Sequence, residues 1–164
     1  MVAHTPPTAA GFAPLPPCPP LFPQAALARR VPWPDACAHA PLNPDVQTLR
    51  AACNASQACA PLPCVRLAFA LFYLSEDQAQ TLLRITLEAA QLVLAADFKL
   101  AERNLELPAS LAAHGLMALA SRAARKSFMQ RGGIEGLVHQ SNALVLKRRP
   151  IFAGAAALLY LRHA

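Results

Sequence analysis

Residues 155–161 read AAALLYL, and the same order of small residues and leucines occurs at 68–74 (AFALFYL) and 113–119 (AHGLMAL). The shared pattern is Ala-x-small-Leu-x-x-Leu. It aligns Ala68, Ala113 and Ala155, then Ala70, Gly115 and Ala157, then Leu71, Leu116 and Leu158, and finally Leu74, Leu119 and Leu161. On a helix the small residues fall on one side, where neighbouring helices approach closely, and the two leucines three apart supply a core stripe. The pattern recurs after 45 and then 42 positions, a spacing in the range of stacked helical repeats.

The stretches after the first two copies correspond as well. A polar stretch at 75–80 leads into Leu82, Leu83, Leu87 and Leu92, and a polar turn at 121–126 leads into Phe128, Ile134, Leu137 and Val138. Each unit therefore reads as a second helix, a turn and a longer third helix. Gly132-Gly133 would break the chain between helices or let it pass close to a neighbour.

Residues 110–161, with AHGLMALA, GGIEGLV and the final AAALLYL, resemble the armadillo pattern. Residues 67–94 and 111–138, the latter ending in RGGIEGLV, are also similar, in the same order, to consecutive stretches of the wings-apart-like family of cohesin-release factors. The resemblance implies an all-α fold, a short armadillo-like superhelix of about two and a half repeats. It further implies a protein-binding scaffold, cohesin subunits as partners and a nuclear location. The chain carries no Phe-Gly-Phe motif in its N-terminal region, so no site residue is transferred from that family.

Composition divides the chain. Fourteen of its sixteen prolines and all five cysteines lie in residues 1–64 of 164. Each proline fixes φ and biases the residue before it to extended geometry. Residues 1–44 are therefore expected to form a Pro-rich, largely irregular arm, and residues 45–164 the helical domain. Within the latter, 45–60 has helical spacing at Val46, Leu49, Ala52 and Cys53, with Asn43 as its cap and Pro44 in the first turn. The N-terminus lacks the charged and apolar regions of a secretory signal. Its lack of acidic residues before Asp35 leaves an organellar location open.

Net charge is +6 and mean hydropathy +0.30. The most apolar stretches, 65–74 and 151–161, fall short of the roughly 20 residues that a membrane-spanning helix needs. The basic runs Arg29-Arg30, Arg122/Arg125/Lys126 and Lys147-Arg148-Arg149 are not interleaved with aromatics. A nucleic-acid partner is therefore permitted by charge but not indicated.

Chemistry is sparse. Cys18, Cys37, Cys53, Cys59 and Cys64 form no CxxC pair, and His4, His39, His114, His139 and His163 no ligand pair, so no metal and no cofactor is expected. No phosphate loop or hydrolase motif occurs. Glu76-Asp77 reads as a solvated turn or helix cap, and a Cys64 nucleophile would need His114 or His139 as its base. We therefore expect a non-enzymatic scaffold. The alternative is an accessory subunit of an organellar or membrane-associated assembly. The sequence stops at Ala164, directly after the third copy at 155–161, with no helix to cover it, and a solenoid needs capped ends. The chain is thus expected to be a fragment or to dock a partner there, through Leu158, Tyr160, Leu161, Lys147, Arg148 and Arg149.

Overall fold

A computed structural model of the chain describes residues 22–56, 61–100 and 127–164. Its centre is a four-stranded mixed sheet. The first half of that sheet grows from a single β–α–β unit. β1 (Val65–Ala68) leads through a 3-10 turn (Leu71–Tyr73) into a fourteen-residue helix, and the chain returns as β2 (Val93–Phe98), parallel to β1 from Val65↔Val93 to Ala68↔Ala96. Two earlier helices, α1 (Phe22–Arg30) and α2 (Val46–Ser56), precede β1, so the crossover helix Glu76–Ala89 is α3.

The sequence starts α3 firmly. Ser75 Oγ accepts from the Gln78 N–H at 3.4 Å, and Gln78 Oε1 accepts from the Ser75 N–H at 3.1 Å, a reciprocal capping box. Glu76 and Asp77 place negative charge in the first turn, where the helix dipole favours it. Ala79, Leu82, Leu83, Thr86 and Leu87 form its buried stripe, and the Thr86 hydroxyl donates back to the Leu82 carbonyl at 2.7 Å.

The second half is a hairpin. After α4 (Gly133–Gln140), β3 (Ala143–Ile151) turns at Phe152–Gly154 into β4 (Ala156–His163), which inserts between β3 and β2. The strand order is β1-β2-β4-β3, with both β4 pairings antiparallel. The helical-repeat architecture expected from the sequence is therefore overturned: the fold is α/β, neither all-α nor an armadillo superhelix. Residues 68–74 are the end of β1 and the 3-10 turn, residues 155–161 run into β4, and the copy at 113–119 lies outside the described residues. Without the repeat, nothing remains to carry the wings-apart-like resemblance or the cohesin role attached to it.

The physical reason lies in the two central strands. β2 is buried at every position, and β4 is buried from Ala156 to Leu159 and again at Leu161. A strand covered on both faces loses its polar alternation and reads as one apolar run, as a buried helix does.

Other local readings shift by a residue or two. α2 covers Val46–Ser56, and residues 57–60 of the expected helix lie outside the described residues. Its cap is Asp45, whose Oδ1 accepts the Thr48 N–H at 2.7 Å. Asn43 instead binds β1. Gly132 and Gly133, at φ +92° and +64°, open α4, and a Cβ on Gly133 would lie 2.7 Å from the Phe98 carbonyl oxygen. Here the chain does pass against a neighbour. Within the Pro-rich stretch, Phe22–Arg30 is helical, and Ala28, Val31 and Cys37 are buried.

Candidate functional site

The sheet's two edges are built differently. Along β1, residues 41–43 lie as a cover. The Arg66 N–H donates to the Pro41 carbonyl at 2.9 Å, and the Asn43 N–H donates to the Arg66 carbonyl at 2.7 Å. The Asn43 side chain then donates to the Ala68 carbonyl at 2.9 Å and accepts from the Ala68 N–H at 2.7 Å. Arg66 fastens the same segment through two bonds to the Ala40 carbonyl and lies over the Trp33 ring. No strand edge is left open there.

β3 is the opposite edge. It pairs with β4 alone among the described residues, and it is exposed from Leu144 to Pro150. Leu144, Val145 and Leu146 are 51%, 45% and 53% exposed, a contiguous apolar run where a soluble sheet usually places charge. A β-bulge falls between Val145 and Lys147, and Pro150, which has no N–H to give a ladder, sits near the strand's end.

Register assigns the basic residues to faces, because directly paired residues of antiparallel strands point the same way. Lys147 pairs with Tyr160, Arg149 with Leu158, and Leu144 with Arg162. Lys147, Arg149 and Arg162 thus share the Tyr160 face, and Lys147 Nζ lies 5.7 Å from the centroid of the Tyr160 ring. Arg148 pairs with Leu159 on the other face, where α4 supplies Glu135, and the Arg148 Nε to Glu135 Oε1 distance is 2.6 Å. Of the six residues expected at a partner surface, the structure gathers Lys147, Arg148, Arg149 and Tyr160 around β3. Leu158 and Leu161 are fully buried in β4 and face no partner. The sequence did not single out Leu144, Val145 and Leu146, whose exposure results from the edge position alone.

The chemistry elsewhere is structural. Cys64 is buried, and burial pushes its thiol up to about 12, with contact from the Cys37 thiol adding to the effect. A thiol so far from ionisation is no nucleophile. Cys37, Cys53 and Cys64 are free thiols, and no metal-binding group of His, Cys, Asp and Glu occurs among the described residues. A shallow cleft of about 310 Å³ lies between α4 and the β3–β4 hairpin, lined in part by Glu135, His139, Ser141 and Arg148. The Ser141 hydroxyl there is engaged with the Val138 carbonyl at 2.8 Å.

One buried carboxyl escaped the sequence reading. Asp97, on β2, is 1% exposed; its Oδ2 accepts the N–H groups of Leu71 and Phe72 at 3.0 and 3.3 Å, and Oδ1 accepts its neighbour Phe98's at 2.8 Å. Burial pushes it up to about 7, against the lowering effect of those three bonds. Its partners are all backbone groups of the fold, so its work is to hold the Leu71–Tyr73 turn against the sheet. A single Asp inside the run Val93–Phe98 was the available signal.

No helix among the described residues is long and apolar enough to cross a membrane. No protein-family model matches the chain, and no curated protein matches it.

Proposed function

We propose that this chain is a non-enzymatic binding module that receives an extended segment of a partner polypeptide along the free edge of β3. One observation carries the reading: a nine-residue edge strand exposes Leu144, Val145 and Leu146, while the other edge of the same sheet is covered. An open row of backbone N–H and C=O groups is a template for one more strand, and its flanking side chains select which strand is accepted.

A photo-cross-linking residue at Leu146, and another at Leu42 on the covered edge, test this in the native host. The expected result is an adduct at position 146 but not at 42. Sequencing should place the adduct in an extended partner segment. A synthetic copy of that segment should then slow hydrogen exchange at the β3 amides of the purified chain. Equal labelling at both positions, or a segment that leaves the β3 amides unchanged, would overturn the reading.

A further inference from the structure

We infer that the segment received by β3 is acidic, with two carboxylates at alternate positions beside a short apolar run. The inference rests on the edge-pairing reading and adds the partner's chemistry.

The two faces of β3 are electrostatically unlike. Arg148 has its counter-charge within the molecule, in Glu135 at 2.6 Å. Lys147, Arg149 and Arg162 on the other face have no carboxylate at ion-pair distance among the described residues. Lys147 and Arg149 are alternate residues of the strand, so a docked strand would set residues i and i+2 beside them, about 5 Å away across the pair. Carboxylates at those two positions meet the cations. Apolar residues on the same segment meet Leu144 and Leu146.

A second copy of the chain is a poorer occupant. The bulge at Val145/Lys147, the proline at 150 and the run Lys147-Arg148-Arg149 are the devices by which edge strands resist pairing with their own kind. Like charges set beside one another would add to a net charge of +6 on each copy. Of these devices only the charge discriminates between occupants, and it favours an oppositely charged strand. A single-stranded nucleic acid suits the site less well. It needs open aromatic faces for base stacking, whereas Tyr160 is half-buried with Lys147 over its ring.

The test uses the full chain and fluorescein-labelled peptides of sequence Ser-Glu-Thr-Glu-Val-Val-Leu-Ser and its reverse, read by fluorescence anisotropy. At least one order should bind, and raising salt from about 0.05 to 0.5 M should weaken it roughly tenfold. Replacing both glutamates by glutamine should cost about tenfold, as should Lys147→Glu with Arg149→Glu in a protein whose circular dichroism is unchanged. That double variant should bind the peptide bearing lysines in place of glutamates better than it binds the acidic one. If the glutamine peptide binds as tightly as the acidic one, the charge inference falls. Edge pairing then survives only if methylating alternate peptide amides abolishes binding. If methylated peptides bind normally, both readings fall, and they fall equally if neither order binds. Two further results would overturn the acidic strand. One is a single-stranded RNA oligonucleotide that binds tighter than the peptide and is lost in the same double variant. The other is a concentration-dependent dimer abolished by Leu146→Lys.

Discussion

Asp97 sits in a strand that otherwise buries only apolar groups, and its carboxyl is pushed up to about 7. The folded state therefore holds a proton more tightly than the unfolded chain, where an aspartate titrates at 3.8. Stability from this group is fully present below pH 4 and is lost as pH rises through about 7. Melting temperature measured from pH 5 to 8 should fall across that window, and Asp97→Asn should flatten the fall. Asparagine keeps one acceptor oxygen for the Leu71 and Phe72 amides, whereas Asp97→Ala orphans both. At about 1–3 kcal/mol for each buried unpaired donor, alanine should be the far more damaging change in urea denaturation. A second residue carries strain of another kind. Ala153, exposed in the β3–β4 turn, is left-handed at φ 51°, ψ 33°, a region that costs an L-residue roughly 1–2 kcal/mol. Ala153→Gly should raise stability by about 0.5–1 kcal/mol, a shift of a few degrees in a thermal melt. Neither feature was read from the sequence. The lone Asp in the apolar run Val93–Phe98 was a signal for the first that was not taken up, whereas a left-handed alanine is made by its surroundings and no residue type or spacing announces it.

Among the elements, legibility tracked locality. α3 could be read in its apolar stripe because those signals are neighbours, Leu82, Leu83 and Leu87 at helical spacing. Residues 75–80 were read as the turn before it, whereas Ser75 and Gln78 form its cap and the helix starts at Glu76. Ser75→Ala removes one side of the capping box and should cost about 1 kcal/mol, measured as a lowered urea midpoint with unchanged slope. α2 was legible to within a few residues for the same reason. β4 failed because its character depends on both flanking strands. Ala157, Leu158, Leu159 and Leu161 are all buried, so the alternation that marks a half-exposed strand is absent, and its alanines and leucines imitate a helix stripe. Gly154 before the strand and Arg162 near its end limit the run to a strand's length, and that length was the better guide.

At the scale of the molecule, the α/β order was hidden because its decisive pairings, β1 with β2 and β2 with β4, join residues far apart in sequence. The candidate surface fared differently. The basic run at 147–149 and Tyr160 were singled out from sequence, and the sheet brings them together, but for a reason the helical reading did not contain. That reason is the asymmetry between a covered edge and an open one, and it can be altered by a single side chain. Asn43 stands at φ 46°, a conformation glycine adopts without penalty, so Asn43→Gly keeps the backbone and deletes only the two side-chain bonds to Ala68. Ala68 is fully buried, and its N–H and C=O would lose those partners at about 1–3 kcal/mol each. The cover at residues 41–43 would then lift more readily and give the sheet two receptive edges, the newly freed one with only Arg66 in β1 to guard it. The expected outcome is a melting temperature lowered by several degrees together with light scattering that grows with protein concentration. Adding Leu146→Lys should leave the melting temperature of the Asn43→Gly protein unchanged but reduce the scattering, because association through two edges needs both. If Asn43→Gly lowers stability without promoting association, the cover serves stability alone.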